Sequence, residues 1–300
     1  MISIKPISSY RALLPAVFAI VLFNMINGIA LAEQTEQEIR WRDGSPIVQF
    51  DKRDDTPMSI VAGWDDTPQR RWPGPAIWTN RLQDWHVRAP ALCCEAQAGL
   101  PCRTAHLIAH ELSDKRGAFR LEVILTLAPG SPQSGWAGFL VGAALVHHQP
   151  GLGGGILAVV ETQGNGRLVF RDMEQAGYPE LEGQQTVTEE PIRLDCHRTM
   201  LNLEGLPGEN GRYDLRFSAW AHHVGALLGA VELKDVPADR LLSNIALVAN
   251  PGKEGAKHQF ETVKAGGQRV AHFPDREFGS IAGIVYSLSE NTLKLGAQFM

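Results

Sequence analysis

The stretch AFRLEVILTL, Ala118–Leu127, decides the fold class. Apolar residues recur at every second position from Phe119 to Leu127, and Arg120 is the first of the residues that alternate with them. This period of two is typical of a β-strand with one buried face, whereas an amphipathic helix needs apolar spacings of three and four. The stretch therefore predicts a strand that covers a hydrophobic core.

Strand patterns of the same kind occur on both sides of this stretch. A hairpin with the arms Ile156–Glu161 and Arg167–Arg171 turns at Gly164-Asn165-Gly166, a typical tight-turn sequence. A short helical turn is predicted at Val236–Leu242. One or two strands are predicted within Ile192–Leu203. The other predicted strands are Arg103–Leu112, Trp136–Leu145, Arg212–His222, Gly225–Leu233, Ser243–Asn250, Lys257–Ala265, Gly283–Glu290 and the terminal NTLKLGAQFM. Roughly ten to twelve strands with few helical stretches indicate an all-β sandwich or barrel.

The order of these strands resembles the concanavalin A-like, laminin-G-type jelly roll, in which two curved antiparallel sheets pack face to face. We therefore predict an all-β jelly-roll sandwich over residues 78–265. A signal peptide at 1–32 and an irregular leader at 33–77 precede it. Residues 266–300 are predicted to be strands and linker that lead toward a following domain.

The N-terminus has the layout of a secretory signal peptide. Lys5 and Arg11 precede an apolar run, Ala12–Ala30, and Ala30-Leu31-Ala32 forms a small-x-small cleavage site. The length of the run also allows an N-terminal membrane anchor. The cleavage site favours export to the periplasm or the exterior, with no membrane association afterwards. A net charge of −5 without a long basic run argues against nucleic acid and anionic membranes as partners.

Four cysteines, Cys93, Cys94, Cys102 and Cys196, are disulfide candidates in an exported protein. The vicinal pair points to opposite faces of a strand, so its two members have different partners. Cys102 is the local candidate across the loop EAQAGLP, and the full connectivity stays open. A zinc site is the weaker alternative, because no second Cys or His pair completes the spacing.

Known catalytic patterns are missing from the sequence. It contains neither the carboxylate cluster Glu-x-Asp-x-x-Glu nor the serine motif Gly-x-Ser-x-Gly. His106 and His110 share a strand face but would stand about 13 Å apart at ~3.3 Å per residue, too far for one metal ion. We therefore predict no catalytic residue, no metal site and no cofactor.

Four tryptophans, Trp78, Trp85, Trp136 and Trp220, could stack on a sugar, and we take Trp85, Trp136 and Trp220 as the candidate ligand-binding residues. Packing in the core is the alternative for each, and it is the more frequent role of tryptophan in a sandwich. If they contact a ligand, a glycan is the expected partner.

An ordered set of phrases resembles a known family. NRLQDWHV (Asn80–Val87), GGGILAVVETQGNGRLVF, AHFPDREFGSI and YSLSENTLKLGAQFM are similar to the N-terminal region of secreted PhoD-like (alkaline phosphatase D type) metallophosphatases. The resemblance covers most of residues 78–300. It implies a jelly-roll module that precedes a small β domain and a phosphatase domain. The family's metal-binding motifs, of the Gly-Asp-x-x-Tyr and Asn-Asp-His-Glu kind, do not occur here, so no catalytic residue can be carried over.

Two functions follow as expectations. The first is a non-catalytic accessory β-sandwich of a PhoD-like phosphatase, truncated or split from a downstream metallophosphatase domain. The second is a stand-alone exported lectin-like protein that binds carbohydrate. A hydrolase with an unrecognised site is a third, weaker alternative.

Overall fold

The computed structural model describes residues 58–143, 155–163, 166–188, 192, 194, 198–279, 281–289 and 292–299. The predicted signal peptide, the leader up to residue 57, Cys196 and the turn residues Gly164 and Asn165 lie outside this part of the chain. Within these ranges, no helix is both long and apolar enough to cross a membrane.

Strands make up almost all of the regular structure. They are β1 (Ser59–Ala62), β2 (Ile77–Thr79), β3 (Trp85–Arg88), β4 (Ala91–Cys94), β5 (Arg103–Leu112), β6 (Phe119–Leu127), β7 (Trp136–Ala143), β8 (Ile156–Glu161), β9 (Arg167–Asp172), β10 (Gln184–Thr188), β11 (Thr199–Pro207), β12 (Arg212–Ala221), β13 (Ala226–Pro237), β14 (Ser243–Asn250), β15 (His258–Gly266), β16 (Val270–His272), β17 (Ile281–Ser289) and β18 (Thr292–Phe299). Short 3-10 turns occur at Leu82–Asp84, Ala238–Leu241 and Pro274–Arg276.

These strands form two large antiparallel sheets. Sheet 1 has the order β10-β13-β12-β11-β6-β15-β4-β3, and β1 pairs with β15. Sheet 2 has the order β16-β5-β14-β7-β8-β9, and β2 pairs with β5. The predicted all-β jelly-roll sandwich of two antiparallel sheets is thereby confirmed.

The core lies between the two sheets. All five apolar residues that define the period of two in Phe119–Leu127 are buried there. Phe217 of sheet 1 and Phe170 of sheet 2 meet with ring centroids 6.2 Å apart. Full burial of a large apolar side chain contributes roughly 1.5–3 kcal/mol, so each of these alternating residues stabilises the sandwich.

The sandwich begins earlier and ends later than predicted. Strand β1 falls within the predicted leader and β2 begins at its last residue, yet each pairs with a sandwich strand, and Trp64 between them is buried in the core. At the other end, β16 pairs with β5 beyond residue 265. These added strands have three or four residues, which is too short for a period of two to show in the sequence.

The last two strands pair only with each other within the described residues. Tyr286 faces Leu295 across the hairpin β17–β18, and Leu288 faces Leu293. Cross-strand partners share a face of the sheet, so these four side chains form one apolar face. Each is more than half exposed.

Candidate glycan-binding face

The candidate site is the outer face of sheet 1, formed by the side chains that alternate with the core residues. On β6, β11 and β12 the inward side chains are buried, and the outward side chains that alternate with them are partly exposed, except for Asn202 and Ser218, which are buried. Strand register aligns the outward side chains in rows that run across the sheet. Three rows and one ion pair, described below, are together called the outer face.

The first row is apolar. Met200 of β11 lies opposite Ile124 on one side and Trp220 on the other, and Trp220 in turn lies opposite Leu227. All four side chains are half-buried, because they pack along the sheet while one side meets solvent. The indole Nε1 of Trp220 donates to the Ser218 Oγ at 2.9 Å, which fixes the ring on this face.

The second row is polar and crosses four strands. Lys264, Glu122, Asn202 and Ser218 lie opposite one another in turn. The Lys264 Nζ lies 3.8 Å from the Glu122 carboxylate. The Asn202 and Ser218 side chains are buried, so the polar groups that this row exposes beside the apolar row are those of Lys264 and Glu122.

The third row alternates in charge. Arg120, Glu204, Arg216 and Glu232 are opposite one another across β6, β11, β12 and β13. The Arg120 guanidinium also reaches Glu122 of the second row at 2.6 Å and donates to the Asn202 Oδ1 at 3.2 Å. Arg120 therefore connects the second and third rows through an ion pair and a hydrogen bond.

An ion pair stands at the end of the apolar row. Arg198, one residue before β11, binds the Glu261 carboxylate of β15 through two guanidinium nitrogens. The backbone N–H of His222 donates to the Arg198 carbonyl at 3.0 Å, which brings the imidazole to the same corner. Burial, and then the Arg198 charge, lower the pKa of His222, so its imidazole is neutral at pH 7.

The three predicted tryptophans do not come together. Trp220 lies on the outer face. Trp136 lies on sheet 2, half-buried against Tyr178, with the ring centroids 5.6 Å apart. Trp85 is completely buried in the core beside Phe260. We withdraw Trp85 from the ligand-binding set, because no face of its ring reaches solvent.

The described cysteines are free thiols. Cys94 faces the core, where burial raises its pKa to about 12, while Cys93 faces the other way and its Sγ accepts from Gln259 Nε2 at 3.7 Å. This agrees with the expected opposite orientation of the vicinal pair. From the sequence, Cys102 is the local disulfide candidate. In the structure its thiol is free instead and donates to the Tyr178 hydroxyl at 3.4 Å. Cys196 lies outside the described residues.

The histidines of β5 are occupied by other contacts. His106 is buried with its Nε2 3.0 Å from the Thr104 Oγ1, and His110 stacks on His272 at 4.4 Å between ring centroids. Among the described residues, no group of three or more His, Cys, Asp and Glu side chains is placed to hold a metal ion.

Most of the outer face was not singled out in the sequence. Met200, Asn202 and Arg198 fall in or beside a predicted strand, but only the register with β6 and β12 shows that they share a surface with Trp220. The available signal was the outward alternation on each strand. It identifies which residues face out, and leaves open which of them meet.

No protein-family model matches the chain, and no curated protein matches it. Solved structures with a similar chain path include the alginate lyase Aly36B, with TM-score 0.47 and 12% identity over 69% of this chain and 96% of that one. Arcelin-5, a lectin-like defence protein from Phaseolus vulgaris, has TM-score 0.45 and 10% identity over 71% and 99%. The exoplasmic/lumenal domain of VIP36, in its Ca2+/Man3GlcNAc-bound form, has TM-score 0.45 and 12% identity over 67% and 87%. Likenesses of this size carry no information on ligand or activity.

Proposed function

We propose that the protein binds carbohydrate through the outer face of sheet 1. The observation that carries the proposal is the partly exposed apolar row of Ile124, Met200, Trp220 and Leu227. The ion pair Lys264–Glu122 borders this row, and the ion pair Arg198–Glu261 lies at its end. Ligand sites combine an apolar surface with a few placed polar groups that fix orientation. A pyranose ring has the matching chemistry, because it offers C–H groups to an aromatic face and hydroxyls around its edge.

The row is also long enough for a polymer. Its four positions lie on β6, β11, β12 and β13, which at about 4.8 Å per strand gives roughly 14 Å from the first to the last. That length accommodates two to three sugar residues in line. An extended chain lying across the strands is the pose that this face favours.

Substitution of Trp220 tests the proposal. We expect Trp220→Ala to weaken binding by about tenfold or more, because a central aromatic anchor carries a large share of binding energy. Trp220→Phe keeps a flat ring and should retain most of the affinity. Binding would be screened on a glycan array and quantified by calorimetry, with urea unfolding to check that each variant is folded.

Trp78→Ala is the matched control, since Trp78 is 40% exposed and belongs to sheet 2. It should leave the affinity unchanged. Equal affinities for wild type, Trp220→Ala and Trp78→Ala would show that the outer face is not the binding site. If no glycan on the array binds to the wild-type protein, the proposed carbohydrate-binding function is refuted.

A second candidate function rests on the hairpin β17–β18. The segment LKLGAQF of β18 is part of the resemblance to PhoD-like metallophosphatases, and the hairpin exposes Tyr286 and Leu295 on one apolar face. A non-catalytic module that packs this face against a metallophosphatase domain would explain the exposure. Reading the coding sequence beyond codon 300 tests it. An open frame with Asp, Asn and His metal motifs supports the accessory role, and a stop without such a frame nearby removes it.

Export is proposed from the N-terminal sequence alone. N-terminal sequencing of the protein produced with its own leader should give a mature chain that begins at Glu33. A retained Met1 in a membrane fraction would instead indicate the anchor.

A further inference from the structure

The charged side chains of the outer face pair with one another, and this pairing indicates which class of carbohydrate the face can bind. The third row brings Arg120, Glu204 and Arg216 into direct cross-strand positions, followed by Glu232. Arg120 Nε lies 3.7 Å from the Glu204 carboxylate, and Arg216 Nη1 lies 3.9 Å from the Glu232 carboxylate. Opposite charges directly across strands attract, so the row forms a ladder of compensated groups.

The remaining cations of the face are compensated in the same way. Arg198 is held by Glu261 through two nitrogens, and Lys264 lies beside Glu122. His222 adds no charge at neutral pH because its pKa is lowered. The described part of the outer face thus has as many carboxylates as cations, and each cation has a carboxylate within 4 Å. The four cations are Arg120, Arg198, Arg216 and Lys264, and the four carboxylates are Glu122, Glu204, Glu232 and Glu261.

An acidic polymer has little to gain from such a surface. Strong recognition of a carboxylate or sulfate uses a guanidinium whose paired N–H groups are open to the anion. Here an anion would have to displace a protein carboxylate, and the displaced carboxylate would then repel it. The half-buried Arg216 and Glu204 side chains make that displacement harder, because they are only 12% and 21% exposed.

An uncharged sugar meets no such competition. A guanidinium has five N–H donors and a carboxylate has about four acceptor positions, and pairing at these distances uses only part of them. The remaining donors and acceptors can serve hydroxyl groups, which donate and accept at the same time. We infer that the ligand of this face is a neutral polysaccharide of hexose or pentose units, and that acidic polymers are excluded by the internal pairing. This inference rests on the proposed function.

Matched neutral and acidic polymers test the inference. Dextran, galactan, mannan and xylan would be compared with dextran sulfate, alginate and polygalacturonate by affinity electrophoresis and calorimetry. We expect binding to one or more neutral polymers, at least tenfold weaker binding to acidic ones, and less than a twofold change in affinity between 50 and 500 mM NaCl. Trp220→Ala should weaken the binding of neutral polymers by about tenfold or more.

Two results would overturn the inference in different ways. Binding of acidic polymers only, with loss in Trp220→Ala and strong salt dependence, would refute the neutral ligand and leave carbohydrate binding at this face intact. Binding of no polymer of either kind would refute the proposed function as well.

A gain of binding provides the sharper test. Glu204→Gln removes one carboxylate from the ladder and leaves Arg216 and Arg120 less compensated. We expect this variant to gain at least threefold in affinity for dextran sulfate at low salt. Glu209→Gln, at an exposed position in the turn after β11, changes the net charge equally and should gain much less. Equal gains in both variants would show that net charge, not pairing on this face, governs the exclusion.

Discussion

Replacement of His258 by leucine should stabilise the sandwich and reduce its sensitivity to acid. His258 starts β15 and faces the core, opposite Leu127 on one neighbouring strand and Cys94 on the other. It is completely buried, and neither ring nitrogen has a hydrogen-bond partner among the described residues. A buried imidazole without partners is costly in either protonation state, and most costly when charged.

The size of the acid effect follows from its pKa. Burial lowers the pKa of His258 from 6.5 to about 3. Between these two values the unfolded chain binds a proton that the folded chain does not, so stability is lost as the pH falls below 6.5. The linkage relation gives a loss of about 2 kcal/mol between pH 8 and pH 5, rising to about 4 kcal/mol by pH 3.

His258→Leu should remove this share of the pH dependence. The variant should also be more stable at pH 8 by roughly 1–3 kcal/mol, because no unpaired polar atom is buried. Urea unfolding at pH 8 and pH 5, followed by tryptophan fluorescence, measures both quantities. Only the difference between wild type and variant is diagnostic, since burial also lowers the pKa of His110 and His86.

His223→Leu is the control, because His223 is exposed. It should leave the difference in unfolding free energy between pH 8 and pH 5 close to that of wild type. If His258→Leu has the same pH dependence as wild type, the buried imidazole does not contribute as argued and the reasoning is refuted.

Two further predictions concern packing and thiols. Gly205→Ala should destabilise the protein by about 1–3 kcal/mol, because its Cβ would lie 2.1 Å from the Phe119 ring on the adjacent strand. Gly279→Ala is the control and should not destabilise it, because no heavy atom lies within 4 Å of that Cβ. Equal effects of the two substitutions in urea unfolding would contradict the steric argument. Cys93, Cys94 and Cys102 should react with a thiol reagent such as DTNB only after unfolding, because all three are buried and burial raises their pKa. Rapid reaction of these thiols in the native protein would show that they are accessible.

The strands were largely predictable because their alternation is a local property. Arg103–Leu112, Ile156–Glu161 and Ser243–Asn250 were predicted with the bounds that the structure has. One or two strands were predicted within Ile192–Leu203; among the described residues β11 begins at Thr199 and continues past the predicted end to Pro207. Its inward residues after Leu203 include a glycine, which carries no hydrophobic signal, so the sequence alone did not extend it.

The candidate site was less predictable, because it depends on which strands become neighbours. Arg198 and Glu261 are 63 positions apart and meet only because β6 lies between β11 and β15. Trp85 and Trp220 both occur in strand segments, and Trp85 is buried while Trp220 is partly exposed because they lie on different faces of their sheet. A single sequence contains no direct information on strand order, so Trp220 could be named as a candidate while its surroundings could not.

The hairpin β17–β18 has a practical consequence for work with the protein. Two strands alone are marginal in water. No other strand of the described residues pairs with the edges of this hairpin, and these edges, together with the apolar face of Tyr286 and Leu295, favour self-association. Loss of protein on chromatography columns and turbidity at high concentration would then be caused by the hairpin β17–β18 rather than by the sandwich. A shortened chain that ends at Gly279 retains the whole buried core and the hydrogen bond from Phe278 N–H to the Pro75 carbonyl. That shorter chain is the form in which to measure sugar affinities, because adhesion through the hairpin would otherwise be counted as binding.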